Sequence, residues 1–289
     1  MNGISRVVAV ALLAVLALPA QADGTDGCTA YIDAAPAVAD QPGTWCLAND
    51  IRTTADEWTA VTVATDDVTI DCRGHLIDGT ANLAGGYGTA IRYSGPGGDY
   101  EGDNITVRNC VIRGYLIGIG LYGGSGHLVE DNTVSGSITS GINMTAERST
   151  IRRNRVLDLY APDVPQTTPQ AISADGSIDV LDNVVSGIRT NAWPPLSIGI
   201  LVAGRGTVAR NRIEGLPDVG DSWGVRGIWV DATSFDLVLR DNVVVSKGEL
   251  GIVCSTSSAR GNVIAVGNVV QGFRTAIGGC PMGHGNVAP

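Results

Sequence analysis

The sequence predicts an all-β solenoid, a parallel β-helix of about eight coils. Three observations point there: a strand-and-turn composition, a recurring Asn segment, and a small-residue–Ile pair that alternates with it. Gly supplies 39 of 289 residues with no collagen period, and only 2 Phe and 3 Met are present. What remains is rich in Val, Ile, Thr, Gly and Asn, the residues of pleated strands and tight turns. Hydrophobic residues at 44% with 17% charged residues exclude a disordered chain. A net charge of −10 argues against an electrostatic grip on nucleic acid.

Residues 1–22 read as a secretory signal peptide, outside the fold. Arg6 supplies a short positive region, Val7 to Leu18 an apolar run, and Ala20-Gln21-Ala22 a cleavage site. The apolar run is short of the ~20 residues that span a bilayer. No later segment looks transmembrane, so a secreted protein, extracellular or periplasmic and without stable membrane insertion, is expected. A monomer is expected too. The 6 cysteines, Cys28, Cys46, Cys72, Cys110, Cys254 and Cys280, include no C-x-x-C pair. An even number in an oxidising compartment points to disulfides, with every pairing open at this level.

The Asn segment is a short β-run, Asn, one residue, then a branched apolar residue. It recurs around Asn132, Asn154, Asn183, Asn211, Asn242 and Asn268, and Cys110 holds the equivalent place in TVRNCVIRG. The steps from Cys110 are 22, 22, 29, 28, 31 and 26 residues. The second motif runs in phase with it: Ala90-Ile91, Gly118-Ile119, Gly141-Ile142, Ala171-Ile172, Gly199-Ile200, Gly227-Ile228, Gly251-Ile252 and Ala276-Ile277, at steps of 23 to 30. Short strands at this period cannot bury an apolar side alone. Stacked coil on coil, about 4.8 Å apart, each inward Ile covers the one beneath. The Asn residues suit left-handed turns and a ladder of stacked amides. The small residue before each Ile is expected to point outward or to let the chain bend closely.

The chain resembles the right-handed parallel β-helix repeat proteins of the pectate-lyase-like superfamily over roughly residues 60–285. CTAYIDAAPAVADQPGTWCLANDI looks like the N-terminal cap of secreted bacterial members, and VTIDCRGHLIDG like their first coil. The resemblance implies right-handed coils, a capped N-terminal end (here 23–60, before a β-helix at 61–289) and frequent activity on polysaccharides. Cys28 and Cys46 flank the cap and would close it. Cys72 and Cys110 fall one coil apart, as do Cys254 and Cys280, within disulfide reach of a ~4.8 Å step; buried thiol stacks are the alternative for these two pairs.

Function in such a scaffold belongs to the long turns. They follow the Asn segment and precede the small-residue–Ile pair: 159–170, 188–197, 216–226 and 246–251. In-phase stacking sets them along one edge, walling a groove. Tyr160, Trp193, Trp223 and the outward-pointing Trp229 are candidate sugar-stacking platforms. Glu214, Asp218 and Asp221 are acid–base candidates for glycoside hydrolysis. Arg226 and Lys247, the only lysine of the chain, are candidates to neutralise charge or move a proton in a lyase. The other carboxylates on these turns are Asp158, Asp163 and Glu249. Catalytic signatures of the familiar pectin lyases and polygalacturonases have no residue-by-residue match.

Weaker signals complete the survey. Asp99, Glu101 and Asp103 are spaced as in calcium loops, making calcium the one cofactor with any support. His75, His127 and His284 are scattered and predict no metal set. Asn104-Ile105-Thr106 matters only in a glycosylating host. The leading expectation is a secreted enzyme acting on a polysaccharide or cell-wall glycan by hydrolysis or β-elimination. The alternative is a noncatalytic exported β-helix that binds glycan or serves at the cell envelope.

Overall fold

The computed structural model describes residues 27–54, 57–80, 88–93, 102–161, 168–190, 196–217, 224–255 and 262–288. The leader expected at 1–22 lies outside them. The described chain winds as a solenoid with three columns of parallel strands. The first column holds Ala37–Ala39, Thr59–Val63, Thr89–Tyr93 and the strands carrying the small-residue–Ile pairs. The second begins at Ala30–Ile32, Gly43–Leu47, Val68–Asp71 and Thr106–Arg108. The third runs through Leu76–Asp78, Val111–Arg113, Thr133–Ser135, Arg155–Leu157, Val184–Ser186 and Arg212–Glu214. No α-helix occurs among the described residues. The columns begin inside the segment expected as the cap, whose strands pair directly with the coils that follow.

Strand pairing places the eight Ile residues in one continuous ladder, from Ile91 through Ile119, Ile142, Ile172, Ile200, Ile228 and Ile252 to Ile277. All but the terminal Ile277 are fully buried. The small residue ahead of each Ile does not point outward. A side chain added at Gly227 would run into Val244 Cγ1 and the carbonyl oxygen of Gly251, and Gly118, Gly141, Gly199 and Gly251 face the same kind of obstacle. The chain bends there, so two consecutive positions face the core. Only Gly or Ala fits beside the branched residue of the third column.

The Asn ladder is continuous. Asn211 Oδ1 accepts the backbone N–H of Asn183 at 2.9 Å and its amide at 3.0 Å, while Asn211 Nδ2 donates to Val180 O and Asn242 Oδ1. The pattern repeats from Asn132 to Asn268; Cys110 N–H enters at one end and Asn286, which the repeat did not reveal, closes the other. These amides are not the left-handed residues. That conformation belongs to the position before each: Asp131, Arg153, Asp182, Arg210 and Asp241, with φ between 55° and 58°. Stacked at coil spacing on the outer ridge, these residues pair with opposite charges, Asp131 with Arg153 and Asp182 with Arg210.

Three disulfides staple the rod: Cys28–Cys46, Cys72–Cys110 and Cys254–Cys280, with Cα separations of 5.8, 4.7 and 4.9 Å. Disulfides in this number suit an extracytoplasmic location. Asp78 is buried between Arg52 and Arg113, each 3.0 Å away. Burial works to raise its pKa, but the hydrogen bonds from Arg113 and Thr80 outweigh it and hold the carboxyl at about 2. His127 is also a structural residue: Nδ1 accepts the Ile105 N–H and Nε2 faces the Gly123 carbonyl, while burial holds its pKa below the usual value.

Candidate functional site

The described ends of the long turns lie at one corner, where the third column crosses to the first. Trp193, Asp218, Asp221 and Trp223 fall on these turns and lie outside the described residues, as does Asp163. The remaining candidates occupy different faces of this corner. Tyr160 sits in a two-residue strand paired with Arg189–Thr190 and is 46% exposed. Glu214 ends a third-column strand, where Arg212 holds its carboxylate at 2.6 Å. Lys247 is exposed and borders a shallow pocket of about 520 Å³ with Leu216, Val245, Ser246 and Gln271; neither Arg226 nor Trp229 lines it.

Arg226 and Trp229 lie on the outer surface of the first column. Trp229 is in register with Leu201 below and Val253 above, and Arg226 with Ile198 and Leu250. The guanidinium carbon of Arg226 lies 3.8 Å from the centre of the Trp229 ring. At that distance the cation faces the electron-rich π surface, and one face of the ring is taken. Trp229 is therefore available to a ligand through its edge and its remaining surface. Toward the N-terminal end the same register carries Ser173, Asn143, Gly120 and Arg92, so the outer face changes from apolar to polar along the rod.

Glu249 joins this pair. Its carboxylate favours the charged form of Arg226, but burial dominates and leaves the guanidinium pKa below the ordinary value. Nε and Nη1 of Arg226 and Oε2 of Glu249 are buried and have no hydrogen-bond partner among the described residues. Unmatched polar atoms of this kind are uncommon, because each forfeits its hydration with nothing in return. The accessible part of this surface is the indole of Trp229 with the partly exposed Leu201 and Val253 on either side, which can take up the apolar face of a ligand.

Glu249 was visible in the sequence only as one turn carboxylate among several. Counting back from the Gly251-Ile252 and Gly227-Ile228 pairs sets Arg226 opposite Leu250, and Glu249 adjoins it. For calcium, Asp99 and Glu101 lie outside the described residues. Asp103 accepts the backbone N–H and the hydroxyl of Ser125, and no group of three metal-ligating side chains occurs among the described residues.

A family model described as the right-handed beta helix region matches residues 57–192 and 100–285. The chain belongs to that family. No curated protein sequence matches it. Among solved structures, the beta helix is similar to a DFA-IIIase from Arthrobacter chlorophenolicus, at 13% identity over 78% of this chain and 59% of that one, with a TM-score of 0.45. It is also similar to the catalytic unit of a GH87 alpha-1,3-glucanase from Streptomyces thermodiastaticus, at 18% identity over 81% and 53%, with a TM-score of 0.38. The periplasmic alginate epimerase AlgG gives 13% identity over 85% and 74%, with a TM-score of 0.45. The chain thus spans little more than half the length of the first two, and the likeness is one of fold.

Proposed function

We propose that this beta helix is an exported carbohydrate-active enzyme that acts on a polysaccharide, by hydrolysis or β-elimination, in a groove along the corner of long turns. The observation that carries the reading is the Arg226–Trp229–Glu249 cluster. Indole and aliphatic surface suit the C–H faces of a sugar ring. Asp218 and Asp221 are acid–base candidates, and Glu249 is a third. Glu214 is the weaker candidate because Arg212 already occupies it. Lys247 and Arg226 are the cationic candidates, and Trp193, Trp223 and Tyr160 are further stacking candidates. The same engagement of Glu214 favours a second reading, a noncatalytic exported beta helix that holds glycan in this groove.

The test incubates the protein with a panel of soluble polysaccharides and reads three signals. New reducing ends alone mean hydrolysis; reducing ends with unsaturated-uronate absorbance mean β-elimination. Retarded migration through glycan-containing gels with neither signal means binding alone. No response to any polysaccharide removes both readings.

A further inference from the structure

We propose that the cleft at the corner between the first and second columns binds a cationic sugar, a glycan residue that carries a free amino group. The cleft lies apart from the long turns and does not depend on the groove there. Its walls are Glu147, Asp175, Arg205, Thr233 and Phe235 over a floor of Gly176 and Gly204, and it encloses about 210 Å³. The floor is bare backbone for a physical reason. Gly176 and Gly204 stack in register with φ of 110° and 125°, and a side chain on either would strike a carbonyl of the coil beneath. The cleft is therefore shaped by main chain held in the β-ladder.

Other carboxylates along this corner are used by the fold. Asp66 and Asp103 accept backbone N–H groups of the next coil, and Asp67 and Asp236 accept the side-chain amides of Asn104 and Asn262. Asp175 is not used in this way. It stands exposed between Thr145 below and Ala203 above, neither of them a cation, and makes no hydrogen bond or ion pair among the described residues. The walls already hold one cation of their own. The guanidinium carbon of Arg205 lies 5.5 Å from the centre of the Phe235 ring, and its Nη2 lies 3.4 Å from Glu147 Oε2. An exposed ion pair of that length is weak, so negative charge remains in excess beside a ring that is 43% exposed. The ammonium of an amino sugar would pair with Asp175. The hydroxyls next to it would reach Thr233 and Glu147, and its C–H surface would meet the part of the Phe235 ring that Arg205 leaves open. A uronate would instead meet two carboxylates. The net charge of −10 draws a cation from a distance.

Titration calorimetry at mildly acid pH would compare a glucosamine hexamer, the N-acetylglucosamine hexamer and hexalysine, at low and high sodium chloride. The wild type should bind the glucosamine hexamer saturably, about tenfold more tightly than the other two, and lose affinity as salt is raised. Asp175→Asn should weaken that binding about tenfold, because a charge-assisted hydrogen bond is lost at a residue the fold does not use. Asp33→Asn removes the same charge from an exposed site near the N-terminal end and should leave the affinity within about twofold, which measures diffuse attraction alone. Equal binding of the acetylated hexamer would mean that the amine is not read, and equal binding of hexalysine would mean a basic peptide site; either overturns the inference. So do binding unmoved by salt, equal losses in the two variants, and failure to bind the glucosamine hexamer. None of these results bears on the groove at the long turns, which the polysaccharide panel tests by itself.

Discussion

Replacing Asn211 with Ala should destabilise the protein by about 4 kcal/mol, measured from the urea midpoint and slope of unfolding. The amide makes four hydrogen bonds at 2.8 to 3.0 Å, all in the interior. Truncation leaves the Asn183 backbone N–H, one Asn183 amide hydrogen and the Val180 carbonyl without partners, in a turn too tight to admit water freely. Each orphaned group costs about 1–3 kcal/mol. Asn286→Ala removes only the terminal rung, where the amide is half-buried and solvent can replace it, so a loss of about 1 kcal/mol is expected there. Equal losses at the two sites would mean that the ladder does not act as a buried network.

The second large effect is expected at the centre of the Ile ladder. Ile200→Ala should cost about 4 kcal/mol, toward the upper part of the range for buried aliphatic truncations. Ile200 lies between Ile172 and Ile228, all three fully buried. Hydrogen-bonded coils hold these neighbours at fixed spacing, so the cavity cannot collapse. Ile277→Ala, at the partly buried end of the same ladder, should cost about 1 kcal/mol by the same area argument. The check is chemical unfolding of both variants beside wild type.

Much of this architecture could be read from residue spacing. The Ile and Asn columns were legible because each coil must place one side chain of each kind at the same phase, whatever the lengths of the turns between. That register put Cys72 with Cys110 and Cys254 with Cys280 within disulfide reach, thiol stacks being the alternative, whereas Cys28 and Cys46 were paired by their place at the cap. The inward orientation of Gly118, Gly141 and Gly227 was not legible, because strict strand alternation turns one of two neighbours outward and only the bend at the Gly turns both inward. The left-handed positions were misplaced by one residue for a related reason. Their φ is tolerated at Asp131, Arg153 and Asp182 through exposure and pairing on the ridge, while the Asn behind them is needed for its amide.

The candidate site was legible in part. The corner and the outward placement of Trp229 follow from turn length and from the Ile ladder. The partnership of Arg226 with Glu249 follows only by counting back from the Gly227-Ile228 and Gly251-Ile252 pairs, because the register shifts between Val245 and Gly248 and counting forward from Asn242 misplaces Glu249. Burial of their polar atoms is a property of packing and leaves no mark in the spacing. Lys247, close to Glu249 in sequence, opens instead on a pocket with Ser246 and Gln271.

Oxidative footprinting tests the central claim most directly, with side-chain modification mapped in the presence and absence of the polysaccharide that the protein retains. Trp229 should be shielded by the bound glycan. Met282 and Tyr31, 67% and 52% exposed and far from the corner of long turns, should be modified at the same rate in both states and serve as internal controls. Shielding of Trp229 without change at these controls is the predicted result. An unchanged rate at Trp229, with protection appearing along the ridge of Asp131, Arg153 and Asp182 beside the Asn ladder, would contradict the account.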